Sequence, residues 1–561
     1  MKIATKKSYF FLSFLLFNLI IIAGNQCYAD VTAKILAIND FHGQIGTGKS
    51  VTESGKKRNI GSAPVLASYL KHYSKSYEDR TVIVSAGDFV GASPPNSALL
   101  QDEPSMMFYN SLGNEDCSYG DKDDMYCNLI AICGNHEFDE GINEFFRLVD
   151  GGNHKSGPFL ENPYQGAKYP MLCANVVRES DGNAIASQTV MPYTIKCMGG
   201  INVGFIGVVL KETPTMVTPT GVAGLKFLDE AETINYYVKK LRKKRVNAIV
   251  AIIHQGGTQD SDKVISKPIS DIVKTLDSEV DLVISGHSHT AINSTVKNAK
   301  GKAIPVVQAY SSGTAFADLT ITLNETARDI TAVSAKIVTT YADEGPGLTP
   351  DTTAKAILDS AEAKVAPLIK KIIANAGEAL TKTQNAAGES VLGDMIADAQ
   401  KKKVSAQIAF MNPGGIRADI DAGEITWGEL YTVQPFNNYL VTMTLTGQQI
   451  YDLLEQQWPP QNTAVRMMQI AGITYTWDGN GGDNKKIIEV KLDDGKTLDK
   501  AAKYKIVCNN FMASGGDNYT VFKQATDQKD SGFSDLDAFI EYMTSLPQPI
   551  TYTLKNRITK K

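Results

Sequence analysis

Histidine and cysteine are scarce in this chain, with seven of each among 561 residues. No two Cys form a Cys-x-x-Cys pair, which argues against structural zinc and dithiol redox roles. Positive charge is not in excess: 56 Lys and Arg against 61 Asp and Glu give a formal charge of −5. A broad nucleic-acid-binding surface is therefore not expected. Gly (46) and Pro (21) show no collagen-like excess, and no internal repeat or low-complexity tract is found. Beyond residue 23, no apolar run approaches the ~18 residues of a membrane span. What is present suits packed cores. A hydrophobic share of 43% with 21% charged residues excludes wholesale disorder. At ~100–200 residues per domain, the length suggests about three domains.

The N-terminus is a basic start, with Lys2, Lys6 and Lys7, followed by an apolar run over Ser8–Ala23. Cys27-Tyr28-Ala29 then puts small residues at the −3 and −1 positions of a cleavage site. This predicts a signal peptide over 1–29. Gly24-Asn25-Gln26 before Cys27 does not resemble a lipobox. Cleavage after Ala29 removes three Lys, no acid and one Cys, taking the charge from −5 to −8 and leaving six cysteines. An even count in an exported chain permits disulfides. Cys117 and Cys127 flank an Asp-rich loop and are the first expected bridge. Cys173 with Cys197 is a second, and Cys133 reads as a buried thiol. The C-terminus shows no obvious wall-sorting motif or apolar tail. A periplasmic or secreted protein is expected, with no membrane span after cleavage, as monomer or homodimer.

Residues 30–340 alternate short apolar runs with loops and amphipathic segments. Lys34–Ile38, Val82–Val84, Leu129–Ile132, Val203–Val208, Ala248–Ile253, Leu282–Ile284 and Pro305–Val307 read as buried strands. Asp229–Arg245 carries helical spacing, so the organisation is α/β. Asp343–Pro350 breaks the pattern. Asp351–Ala376 reads as a largely helical stretch interrupted by Pro367, so 341–376 is expected to be a linker with a helix. A second α+β domain follows over 377–561.

Five of the seven His lie at or just beyond strand ends. Asp40-Phe41-His42, Gly87-Asp88, Gly134-Asn135-His136-Glu137-Phe138-Asp139, His254 and Gly286-His287-Ser288-His289 each follow a predicted strand. In open α/β sheets, ligands bind beyond the carboxyl ends of the strands. Carboxylate, imidazole and amide oxygen suit two divalent ions such as Zn or Mn. Asp88 can bridge both, Asp40, His42 and His289 complete one side, and Asn135, His254 and His287 complete the other. By ligand type the loaded site carries a net charge of about +1, which attracts a phosphate oxyanion. His136 is free to donate to a phosphoryl group or leaving oxygen, with Asp139 orienting its ring. Glu137 has no assigned role beyond a solvated or helix-capping carboxylate. His72 and His154 read as surface residues.

At Asn39-Asp40-Phe41-His42-Gly43, Gly87-Asp88, Gly134–Asp139 and Gly286–His289, the sequence resembles the calcineurin-like metallophosphoesterases. It is closer still to the exported 5′-nucleotidase and UDP-sugar hydrolase family. The resemblance implies a four-layer α/β/β/α catalytic domain, a two-metal hydrolase, and a smaller α+β domain that holds the nucleoside and swings relative to the metals. Asn412-Pro413-Gly414-Gly415-Ile416-Arg417 resembles the family's Asn-Gly-Gly-x-Arg loop, in which Arg417 can grip a phosphate or ribose. Phe436, within Gln434–Asn438, and Phe511, before Gly515-Gly516-Asp517, match the base-stacking aromatics, and Asp517 suits ribose hydroxyls. One position departs. Relatives carry Arg seven residues before the Gly that corresponds to Gly393, and here that residue is Ala386. Lys382 stands nearby but lacks bidentate geometry.

The expected activity is hydrolysis of nucleoside 5′-monophosphates to nucleoside and phosphate. The alternatives are a 2′,3′-cyclic phosphodiesterase/3′-nucleotidase or a UDP-sugar hydrolase. A non-catalytic surface binding protein is a further alternative, disfavoured because every assigned ligand position holds a competent residue. The expected partner is a nucleotide, not a nucleic-acid polymer.

Overall fold

A computed structural model describes residues 30–46, 48–53, 55–458, 465–482 and 485–561. The expected signal peptide, 1–29, lies outside the described residues. Two β-sheets stack at the centre of the N-terminal half. The seven-stranded sheet runs, edge to edge, Asp329–Thr339, Ala315–Asn324, Val31–Ile38, Thr81–Ser85, Leu129–Ile132, Met171–Leu172, Val190–Met191. The six-stranded sheet runs Ala291–Lys297, Ala303–Ala309, Leu282–Ser285, Ala248–His254, Ile201–Val209, Tyr193–Met198.

Strand periodicity separates the layers. Ala33, Ile35 and Ala37 point into the inter-sheet core with Val82, Val84, Val203, Phe205, Val250 and Ile252. Alternate residues Leu36 and Ile38 face the other way, into a core shared with helices Ala63–Ser74, Glu103–Asn110 and Ile142–Asp150. On the far side, Ile249, Ala251 and Ile253 pack beneath helices Glu230–Lys243 and Ile269–Thr275. The arrangement is the expected four-layer α/β/β/α. All seven predicted strands lie within observed ones. The edge strands Tyr193–Met198, Ala291–Lys297 and Asp329–Thr339, and Ala315–Asn324 next to the last of them, were not predicted, because their alternating residues form no continuous apolar run.

Three expectations are corrected. Pro367 does not interrupt the linker helix, which runs over Thr352–Ile369. Pro367 costs the bond its own N–H would make to the turn before it, and the helix ends two residues later. Residues Ile372–Ala376 are not helical but form a strand paired with Gly423–Thr426. Cys133 is not a free thiol. It is bonded to Cys173, and Cys197 is free. The reason is register. Parallel strands put Ala131 beside Met171 and Ile132 beside Leu172, so the next pair is Cys133 with Cys173, Cα–Cα 5.7 Å. This bridge anchors the start of the Gly134–Asp139 loop. The Cys117–Cys127 bridge is as expected.

The C-terminal half is built on a five-stranded sheet, in the order Gln469–Ala471, Ile408–Met411, Lys503–Asn509, Tyr439–Thr446, Thr526–Ser534. Helices Val391–Lys403 and Asp535–Ser545 pack on it, giving the smaller α+β domain. No described helix is long and apolar enough to cross a membrane.

Candidate functional site

The central strands run parallel within each sheet, so their carboxyl ends share a rim. Sharp turns leave those ends. Asp40, His42, Asp88, His287 and His289 adopt left-handed backbone with φ of 51, 52, 51, 72 and 56°. Each costs on the order of 1–3 kcal/mol, a strain typical of functional sites. Packing and hydrogen bonds hold them there. His42 N–H donates to Asp88 O at 2.9 Å and Asp40 N–H to Gly87 O at 3.1 Å. Gly87 is required at φ +86°, because a Cβ would stand 2.6 Å from His254 Nδ1.

The rim brings the predicted ligands together. Asp40, His42 and His289 form one group, and Asp88, His254 and His287 form another. His42, Asp88 and His136 form a third, with the ligand atoms of each group within 4.8 Å of one another. Asp88 and His42 thus join the two sides. Asn135 is buried, and its Oδ1 has no hydrogen-bond partner.

The donor atoms fit cations. His254 Nδ1 is engaged by Ala86 O at 2.7 Å, which turns the lone pair of Nε2 toward Asp88 Oδ2, 3.0 Å away. His42 Nδ1 is engaged by Gly91 O at 2.8 Å, and its Nε2 faces His289 Nε2 at 3.0 Å. Acceptor facing acceptor at these distances needs a positive charge between them. Metals supply it when bound, and a proton supplies it otherwise. Burial disfavours charge on His254, yet Asp88 and Asp40 raise its pKa to about 10. Burial alone would raise the Asp88 carboxyl, but His254, His136 and His42 hold it well below its usual range. Burial keeps His42 well below the ordinary imidazole value, and burial with the nearby His254 lowers His287 to about 4. Both shifts favour the neutral imidazole, the form that binds metal.

His136 opens a turn of 3₁₀ helix, His136–Phe138, rather than a loop. Its Nδ1 lies 2.6 Å from Asp139 Oδ2, which fixes the ring. Burial opposes its charge, but Asp139 and Asp88 raise its pKa to about 9. His72 is exposed as expected, whereas His154 is half-buried and stacks on Phe159.

Glu137 is neither solvated nor a cap. It is buried, and its carboxylate accepts the backbone N–H groups of Gly134, Asp88 (3.1 Å) and Phe89 (2.9 Å). One side chain therefore ties the Asp88 turn to the Asn135 turn. Glu137→Gln keeps the volume but loses one acceptor. It is expected to weaken metal affinity roughly 10–100-fold with little change in fold, because the turns that carry Asp88 and Asn135 lose part of their shared anchor. Metal titration followed by elemental analysis checks this, and an unchanged affinity would refute it.

A cavity of ≈ 230 Å³ adjoins the rim. Asn135, His136, Asp139 and His287 line it from the N-terminal half, with Asn412, Arg417, Phe436, Phe511 and Asp517 from the C-terminal half. All five substrate residues expected from sequence thus reach one cavity. The Phe436 ring stacks on His136, with centroids 5.9 Å apart and planes 12° apart. Arg417 lies over the same ring at 5.8 Å. The Phe511 ring lies where a Cβ at position 516 would stand, 2.5 Å from two of its atoms, so Gly516 is needed there. Lys382 is exposed and does not line this cavity. Sequence reading missed Arg466 and Met216–Thr218, which also line it. They belong to no motif and arrive only through tertiary packing.

Comparison with known proteins gives the class. Residues 33–291 match the calcineurin-like phosphoesterase family and 368–524 match the 5′-nucleotidase C-terminal domain. The protein is a metallophosphoesterase joined to a second, nucleotidase-type domain, and that fold implies divalent metals. Endonuclease YhcR of Bacillus subtilis is 33% identical over 94% of this chain, and cell wall protein Lmo0130 of Listeria monocytogenes 36% over 89%. The chain spans 41% and 65% of the length of those two relatives. The 5′-nucleotidase of Vibrio cholerae is 26% identical, with 92% of this chain and 91% of that protein covered. The crystal structure of a 5′-nucleotidase precursor from Thermus thermophilus superposes with a TM-score of 0.77 at 28% identity, covering 94% of this chain and 99% of that one. The chain carries the two domains of the 5′-nucleotidases, a calcineurin-like phosphoesterase domain followed by a 5′-nucleotidase C-terminal domain.

Proposed function

We propose that this protein is an exported, two-metal phosphohydrolase that converts nucleoside 5′-monophosphates to nucleoside and phosphate. The observation that carries the reading is the single cavity shared by the imidazole–carboxylate rim and the Phe436–Phe511–Asp517 face. It is long enough in chemistry to take a phosphate at one end and a nucleoside at the other. Bound metals would supply Lewis acidity and an activated water. Asp40, His42, Asp88, Asn135, His254, His287 and His289 would hold them. His136 donates to the phosphoryl group or the departing oxygen while Asp139 fixes its ring. Arg417 balances phosphate charge. Phe436 and Phe511 contact the base, and Asp517 accepts from the ribose. Two disulfides support export to an oxidising compartment, periplasmic or extracellular. We place the catalytic domain at 30–340, the linker at 341–376 and the nucleoside domain at 377–561.

The test is a substrate panel with Mn, Zn or Co added: AMP, 3′-AMP, 2′,3′-cyclic AMP, a UDP-sugar and a short DNA strand. AMP is expected to give the highest kcat/KM. A higher value for 2′,3′-cyclic AMP or the UDP-sugar would move the assignment to that activity.

A further inference from the structure

A guanidinium outside every motif quoted above reaches the cavity from a segment beside the Ala386 loop. Arg466 lines it beside Asn412, Phe511 and Asp517. The segment it opens is zipped to the Ala386 loop. Gln384 Nε2 donates to Met467 O at 2.9 Å, and Ser390 N–H donates to Gln469 Oε1 at 2.8 Å. The Arg466 backbone is pinned on both sides. Its N–H donates to Gln457 O at 3.1 Å, and its carbonyl accepts from Tyr519 OH at 2.5 Å.

Arg466 Nε lies 3.4 Å from Asp517 Oδ1, and Asn412 Nδ2 donates to Asp517 Oδ2 at 3.3 Å. Asn412 is itself held, its Oδ1 accepting from Asn509 Nδ2 at 3.0 Å. The Asp517 side chain is 11% exposed, and its backbone is left-handed at φ 55°. Each oxygen of the carboxylate therefore has one protein partner, one cationic and one neutral. A carboxylate offers about two acceptor directions per oxygen, so one on each oxygen stays open to the cavity. Two open acceptors about 2 Å apart match the two donors of a vicinal diol. Burial raises the Asp517 pKa, and Arg466 and Asn412 oppose that rise.

Building on the nucleotidase reading, we propose that Arg466 is a positioning and specificity-determining residue. It fixes Asp517 as a two-point acceptor for the 2′- and 3′-hydroxyls, and so selects ribonucleotides over deoxyribonucleotides. A substrate lacking either hydroxyl leaves one buried acceptor unpaired, a loss of about 10–100-fold.

The experiment uses the full metal-loaded chain with AMP, 2′-deoxy-AMP and 3′-deoxy-AMP. Wild type is expected to favour AMP about 10–100-fold over both analogues. Arg466→Gln is expected to raise KM for AMP about 10-fold with kcat within about twofold, and to cost each deoxy substrate, which keeps one of the two contacts, clearly less. Adding R466Q to Asp517→Asn should cost little more, because both act on one contact. Arg466→Lys should restore part of the loss. Equal losses on AMP and the deoxy analogues, or no effect on AMP, would overturn the proposal. Failure of wild type to release phosphate from AMP is a failure of the nucleotidase reading instead. Calorimetry with adenosine and 2′-deoxyadenosine then still reads the pocket. Tighter adenosine binding, lost in R466Q, supports the inference, and equal wild-type affinities overturn it.

Discussion

Asp88→Ala is expected to leave the protein folded but unable to hold its metals, with phosphate release falling to background. Asp88 stands at the join of the site. Its Oδ2 lies 3.0 Å from His254 Nε2 and 3.9 Å from His42 Nε2, on opposite sides, and its Oδ1 accepts the His136 N–H at 3.0 Å. It belongs to two of the three ligand groups. Removing it leaves Asp40 as the one carboxylate among the proposed ligands, against two dications. The remaining ligands then carry too little negative charge to hold both ions. Asp88→Asn is the control for shape, since its amide oxygen can still accept the His136 N–H. Elemental analysis should find about two metals per wild-type chain and at most one in either variant. Full occupancy in Asp88→Ala would contradict the bridging role.

His136→Ala has the second largest expected effect and a different signature. Turnover should fall roughly 10²–10⁴-fold, equivalent to about 3–5 kcal/mol of barrier, while metal content is unchanged. The separation follows from what Ala retains. The hydrogen bond to Asp88 comes from the backbone N–H of residue 136, so the Asp88 carboxylate keeps that anchor without the ring. What is lost is an imidazole held by Asp139 at 2.6 Å, raised by Asp139 and Asp88 to a pKa of about 9 despite burial, and facing the cavity. Such a ring is suited to donating a hydrogen bond or a proton to a departing oxygen. Because the His136 ring also comes within ligand distance of His42 and Asp88, metal loss in His136→Ala would make it a ligand rather than a donor. Unchanged turnover in a metal-replete variant would remove it from the chemistry altogether.

The rim was legible because it is local. Each expected ligand directly follows or ends an apolar run, and a short run that ends in Asp, Asn or His marks both a buried strand and its carboxyl end. The cavity residues Arg417, Phe436, Phe511 and Asp517 were legible only through resemblance, since nothing in their spacing brings them to His136. What escaped sequence reading depends on pairing across the fold. Cys133 meets Cys173 through parallel register 40 residues apart. Glu137 looks like any acidic residue in a turn until the Asp88 turn supplies the backbone donors that surround its carboxylate. Arg466 lies between Val465 and Met467 with no motif around it, and its partner Asp517 is 51 positions on. The linker strand Ile372–Ala376 reads as a helix end because its partner, Gly423–Thr426, is remote.

One metal-loaded cavity is expected to release phosphate from a nucleoside 5′-monophosphate. The most direct measurement is phosphate and adenosine released from AMP by the purified chain after chelation, and again after Mn, Zn or Co is restored. No release is expected from the chelated protein and recovery on metal addition, with phosphate and adenosine formed in equal amounts. Undiminished release after the metals are stripped, or none after they are restored to full occupancy, would contradict it.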